Sequence, residues 1–70
     1  MRVKVIDRDS LKRLCETNLS ILPNVGETIN VNVFDPHDRI IVTELVKREW
    51  VVTDGYGMEG YVVLVVKVKK

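Results

Sequence analysis

The chain has 70 residues, of which 46% are hydrophobic and 30% are charged, a composition typical of a globular protein and unlike that of a disordered tail. A domain near this size buries only about 60% of the surface that its unfolded chain exposes. The residues therefore suffice for one core, and we expect a single domain over 1–70. Eleven Lys and Arg against ten Asp and Glu give a formal charge of +1, which argues against a global attraction to nucleic acid or to an anionic membrane.

The cysteine content and the N-terminal sequence indicate the compartment. Cys15 is the single cysteine, so an intramolecular disulfide is excluded. The start MRVKVIDRDS lacks the apolar core and the small-residue cleavage site of a signal peptide. The longest apolar run, from Tyr61 to Val66, is far shorter than the ~20 residues that a membrane-spanning helix needs. We therefore expect a cytoplasmic protein with no membrane segment.

The N-terminal part predicts one strand and one short helix. Met1 to Ile6 alternates between apolar and charged residues, the pattern of a half-buried strand. In the next segment, apolar residues recur at helical spacing, and side chains that often cap helices precede them in the chain. This pattern predicts a helix that ends near Asn18. The apolar residues are Leu11, Leu14 and Cys15, and the capping side chains are Asp7, Asp9 and Ser10.

The remainder of the chain predicts strands separated by turns. After a turn at 23–26, clean alternation predicts a strand from Thr28 to Phe34, followed by a turn at 35–38. Between 39 and 53 neither the odd-numbered nor the even-numbered residues are apolar throughout, so one straight strand cannot bury all the apolar side chains. We therefore expect two strands, 40–46 and 49–53, with a bulge near Lys47 and Arg48. A glycine-rich hairpin loop at 54–60 leads into a last strand, Tyr61 to Val68. The predicted fold is mostly β, a small SH3-like barrel or a strongly twisted antiparallel sheet of about five strands with one short helix.

The last strand is apolar on both faces. Val62, Leu64 and Val66 lie on one face, whereas Val63 and Val65 lie on the other. A domain this small has few residues with which to cover a second face. We therefore expect Val63 and Val65 to be covered either by the short helix or by an oligomer interface with another subunit.

The chain carries no convincing catalytic or cofactor motif. Residues 55–60 match the dinucleotide pattern GxGxxG, but the predicted continuation is a strand and not the helix whose N-terminus would bind a phosphate. Asp35, His37 and Asp38 read as a solvated turn, because no second histidine is present to complete a metal site. Cys15 lies on the predicted apolar stripe and reads as a buried structural cysteine. We therefore expect a non-enzymatic protein with no cofactor and no metal.

A binding module is the expected function, and its partner is expected to be a protein. The predicted partner-binding residues are aromatic, methionine or arginine, the types that dominate interface energies, and all lie between 47 and 61. They are Arg48, Trp50, Tyr56, Met58 and Tyr61. Two alternatives stay open: a nucleic-acid-binding barrel that stacks bases on these aromatics beside Lys47 and Arg48, and a homo-oligomer that sequesters a small ligand.

The segment Leu22-Pro23-Asn24-Val25-Gly26-Glu27-Thr28-Ile29, followed by an alternating strand and valine-rich strands, resembles a group of small bacteriophage and prophage proteins. In that group a Leu-Pro-x-x-Gly-acidic-x-apolar segment opens an SH3-like barrel. The resemblance covers most of the chain after the predicted helix, and it implies a fold more than an activity. It also implies that the protein acts by binding and occluding a host protein in the host cytoplasm. The stretch from Arg39 to Trp50 is longer than the simple strand of that pattern.

Overall fold

The computed structural model describes residues 1–34, 37–53, 55 and 60–69, and these form a single curled sheet. Its strands are β1 (Arg2–Asp7), β2 (Arg13–Asn18), β3 (Thr28–Val33), β4 (Arg39–Val51) and β5 (Tyr61–Val68). They are ordered β2-β1-β5-β4-β3, and the two outer strands curl towards each other into a half-barrel. The prediction of a mostly β protein with about five strands is confirmed.

The sheet is mixed and not purely antiparallel as predicted. The β1–β5 pair is parallel, with Val3 opposite Val62 and Val5 opposite Leu64, whereas the other three pairs are antiparallel. Parallel strands need a long connection between them. Three whole strands lie between β1 and β5 in the chain, so that requirement is met.

The predicted helix is wrong, and its residues instead form a turn and strand β2. The Asp7 amide donates to the Lys12 carbonyl at 2.9 Å, which closes a hairpin between β1 and β2. The Asp7 carboxylate accepts hydrogen bonds from the Asp9 amide at 3.1 Å and from the Ser10 hydroxyl at 3.0 Å. A helix of barely two turns is marginal alone, and pairing with β1 satisfies more backbone groups. The described residues contain no helix, and therefore none that could span a membrane.

Strand β4 is one strand of 13 residues and not the two predicted strands. Its pairing with β5 shifts register between Leu45 and Lys47, which leaves Val46 without an opposite residue. The predicted bulge is confirmed and begins one residue earlier than expected. Because an extra residue changes the parity, the failure of alternation along 44–49 follows from this bulge.

A second bulge lies on the other side of Leu45. The Glu27 amide donates to the Asn24 carbonyl at 3.0 Å, closing a turn in which Gly26 has a φ of 94°. The Gly26 amide donates to the Leu45 carbonyl at 2.8 Å, and the Leu45 amide donates to the Glu27 carbonyl at 3.0 Å. Two residues therefore oppose Leu45, with a left-handed glycine first, the pattern of a G1 bulge. Leu45 is 1% exposed and is the point at which β4 bends.

The core fills the concave side of the curled sheet. Its buried members come from β1, β3, β4 and β5 and are Val3, Val5, Val31, Leu45, Val62, Leu64 and Val66. The partly buried residues packed against them include Cys15 of β2 and Leu19 and Leu22 of the β2–β3 connection. Thr43 is fully buried, and its hydroxyl donates to the Ile29 carbonyl at 2.8 Å. This bond ties β4 to β3 within the core.

Replacement of Leu11 by asparagine should stabilise the protein. Leu11 has a φ of 61° and is 76% exposed, so its side chain contributes little burial and its β-carbon is strained. Asparagine tolerates the left-handed region, and the expected gain in the free energy of unfolding is about 1 kcal/mol. The matched control is Leu11→Ala, which lacks the polar side chain that lets asparagine adopt the left-handed region and should give no gain. Urea unfolding measures both, and an equal gain from the two variants would contradict the strain argument.

Replacement of Gly60 by alanine should destabilise the β4–β5 hairpin. A β-carbon at Gly60 would lie 2.7 Å from the Val51 carbonyl oxygen, which is backbone and cannot rotate away. We expect a loss of about 1–3 kcal/mol in the free energy of unfolding, the usual cost of overpacking. The control is Gly26→Asn, since the site has open space and asparagine tolerates its backbone. Wild-type stability of Gly60→Ala in a urea melt would show that the strands separate here without cost.

Candidate binding surface

Trp50 lies on the concave side of the sheet and is nevertheless exposed. It is directly opposite Val62, which is fully buried, so the two side chains share a face. Trp50 is 64% exposed, near the end of β4. The core face therefore continues into an apolar surface that solvent reaches.

Two more apolar residues extend this surface. Met1 lies two residues before Val3, the first buried residue of β1, and the Leu19 amide donates to the Met1 carbonyl at 2.8 Å. A β-carbon added at Gly60 would lie 3.6 Å from the Val52 α-carbon, so Val52 flanks this glycine. Met1 is 51% exposed and Val52 is 87% exposed. We call Met1, Trp50 and Val52 the mouth patch.

Arg48 links the mouth patch to the β2–β3 connection. It lies directly opposite Leu64, two residues before Trp50 on the same face. Its guanidinium Nη1 donates to the Pro23 carbonyl at 3.3 Å. The same connection carries Ile21, which is 82% exposed. Arg48 therefore holds the connection against β4 at the edge of the mouth patch.

Three further predicted residues lie on the opposite, convex face, namely Tyr61, Val63 and Val65. Val63 and Tyr61 alternate with the core residues of β5, and the ammonium of Lys4 stands 4.3 Å from the Tyr61 ring centroid. Lys4 of β1 and Glu49 of β4 lie directly opposite Val63 on either side. Glu49 also forms an ion pair with Lys47. Val63 is only 9% exposed as a result.

The cover over Val63 is thus made by charged side chains from neighbouring strands. Their aliphatic stems lie along the apolar surface while their charged ends reach water. The predicted helix does not supply the cover, since its residues form β2 on the far side of β1. Val65, between Ile6 and Lys47, is half-buried. An oligomer interface at Val63 and Val65 stays a prediction, and a partner there would have to displace the Lys4 and Glu49 side chains.

The structure unites only part of the predicted partner site. Arg48 and Trp50 lie together, Tyr61 lies on the other face, and Tyr56 and Met58 lie outside the described residues. The GxGxxG segment is also largely outside them, but the strands that flank it pair antiparallel, with Val51 opposite Tyr61. Sequence reasoning missed Met1 and Val52. The one available signal was their spacing of two residues from the strand positions Val3 and Trp50, which places them on the same face.

The remaining titratable groups do not converge on a reaction site. Burial raises the pKa of the Cys15 thiol, which makes it a poorer nucleophile at neutral pH. The pKa of Glu16 is lowered, first by a hydrogen bond from the Arg2 side chain at 2.6 Å and then by the nearby positive charges. Arg13 also pairs with Glu16, at 2.9 Å. His37 is exposed, and the described residues contain no group of three or more His, Cys, Asp or Glu that could hold a metal ion.

Comparison with known proteins places the chain in no family. No protein-family model matches it, and no curated protein and no solved structure gives a significant match.

Shortening of Lys4 should destabilise the convex face. Lys4→Ala removes the stem beside Val63 together with the cation over Tyr61, and we expect a loss of about 1 kcal/mol in the free energy of unfolding. The matched variant is Lys4→Met, which keeps most of the stem and should lose about half as much. Urea unfolding at low and moderate salt measures both. Equal losses for alanine and methionine would show that the charge, and not the stem, stabilises this face.

Proposed function

We propose that this chain is a non-enzymatic binding module whose protein partner contacts the mouth patch, with Trp50 at its centre. The observation that carries the proposal is that Trp50 is 64% exposed on the face that elsewhere forms the core. Contiguous exposed apolar residues mark interaction sites, and tryptophan is among the residues that contribute most to interface energies. Met1 and Val52 extend the same apolar surface.

The setting of Trp50 favours tight recognition. It stands on a paired strand, opposite a fully buried residue of β5, so its backbone is already ordered before a partner binds. A large side chain with two rotatable bonds loses little conformational entropy on binding. Arg48 is held beside it by the bond to Pro23 and offers its remaining guanidinium donors to the rim of an interface.

The nucleic-acid alternative has less support from the same region. Phosphate binding needs free cations along a groove. The basic residues near the aromatics are engaged within the chain: Lys47 pairs with Glu49, Lys4 lies over Tyr61, and Arg48 binds Pro23. With these engagements and a formal charge of +1, an apolar protein contact is the better supported function.

The resemblance to small phage proteins supplies a class of partner. Five strands in one strongly curled sheet of a 70-residue chain support an SH3-like assignment, while the parallel β1–β5 pair is a departure from a purely antiparallel barrel. On this proposal the protein covers a working surface of a host protein in the cytoplasm and blocks it by occlusion. No catalytic step is required.

The test compares captured proteins between two surface variants. Tagged wild type, Trp50→Ala and Phe34→Ala are used as baits in bacterial lysate with and without nuclease treatment, and bound proteins are identified by mass spectrometry. Phe34 is the matched control, because it is 72% exposed and follows β3, at the other end of β4 from Trp50. We expect one discrete protein with wild type and Phe34→Ala, reduced at least about tenfold with Trp50→Ala, since removal of a hot-spot residue costs 2 kcal/mol or more.

Two results would contradict the proposal. A partner retained equally by Trp50→Ala would place the contact elsewhere. Recovery that depends on intact nucleic acid, and that weakens steeply as salt rises, would favour the nucleic-acid alternative. Urea unfolding of Trp50→Ala provides the stability control, because an exposed side chain should contribute little to folding.

A further inference from the structure

A cavity of about 260 Å³ lies where the half-barrel stays open. It is lined by both outer strands of the sheet, with Cys15 and Thr17 from β2 and Ile29 and Val31 from β3. These two strands do not pair with each other in the described part of the chain. The floor includes Leu64, a fully buried residue of β5. The cavity therefore opens from the core to the gap between the two edges.

The residues that line the cavity disfavour a charged ligand. None of the described residues that line the cavity is Asp, Glu, Lys, Arg or His. The floor is aliphatic, and the polar residues in the lining are the neutral Thr17, Asn30 and Asn32, all exposed, the last two on the unpaired edge of β3. An ionised ligand would lose hydration without gaining a counter-charge. A neutral ligand with an apolar body and one polar end matches this lining.

The volume limits the ligand to a small molecule. A cavity of about 150 Å³ is known to hold benzene, and pockets for drug-sized ligands begin at about 300 Å³. At about 260 Å³, the cavity fits one or two fused rings and is too small for an inserted β-strand of several residues. The same limit separates this site from the mouth patch, which is an open surface.

We infer that the gap between β2 and β3 is a binding site for a small neutral ring compound, with its apolar body against the half-buried Cys15, Leu19 and Ile29 and its polar end at Thr17 and the unpaired edge of β3. Such a ligand covers the half-buried apolar residues that the unpaired edges leave accessible. The inference is independent of the proposed function, because it uses a different surface and a different class of ligand.

Cys15 makes the inference directly measurable. It is the one cysteine of the chain, it is half-buried, and it lines the cavity. Alkylation by the neutral reagent N-ethylmaleimide reports access to this thiol. A ligand in the cavity should slow the reaction by a factor of 1 + [L]/Kd, which is about tenfold at ten times the Kd.

The experiment measures alkylation of the full chain with indole or p-cresol as probes. Benzoate and benzylamine are the charged comparison compounds of similar size. The matched control protein is Cys15→Ser with Ser20→Cys, which moves the single thiol to an exposed position that does not line the cavity. We expect indole or p-cresol to protect Cys15 and not the relocated thiol, and the charged compounds to protect neither.

A second part of the experiment fills the cavity with a larger side chain. Thr17→Phe should place a ring in the cavity, slow alkylation without any probe, and abolish further protection by indole. Ile29→Phe serves the same purpose should Thr17→Phe fail to fold.

Three results would overturn the inference. The first is absence of protection by both neutral probes, and the second is equal protection by benzoate or benzylamine. The third is protection that rises with protein concentration alone, together with a dimer in light scattering, which would show that a second copy closes the gap.

Discussion

The double bulge at Leu45 is the constraint on which the rest of the structure depends. On one side Gly26 and Glu27 both oppose Leu45, and on the other side Val46 is left without a partner in β5. Each bulge increases the local bend and twist, so β4 pairs with β3 along its first half and with β5 towards its end. A straight strand of 13 residues would have produced a flat sheet with no enclosed core.

The bend leaves the half-barrel open in two places, and both are candidate binding sites. Beyond Leu45, β4 stays paired with β5 and carries Trp50 to an exposed position on the concave face. At the other margin, β2 and β3 come close without pairing, and the cavity beside Cys15 lies between them. The convex face carries no comparable opening around Val63, because charged side chains of β1 and β4 flank that residue on both sides.

The alternation of apolar and polar residues predicted those strands well whose observed pairing follows a period of two residues. The limits of β5 were predicted as observed, β3 differs by one residue, and the bulge in β4 was visible as a change of parity. The helix failed for a physical reason. Asp7 and Ser10 form the same local hydrogen bonds in a hairpin turn as they would at a helix start, and spacing of three and four residues in so short a segment does not exclude a strand.

Of the predicted partner-binding residues, the structure sets Arg48 and Trp50 together and Tyr61 on the opposite face. The sequence by itself determined the strand-rich class, the turns and which residues of β5 point together, because these follow from φ preferences and from a period of two. Only the tertiary structure decided that β1 lies parallel to β5, that Val52 lies beside Gly60, and that β2 stands near β3. Those juxtapositions join residues far apart in the chain, and their energy comes from burial and pairing that no local pattern records.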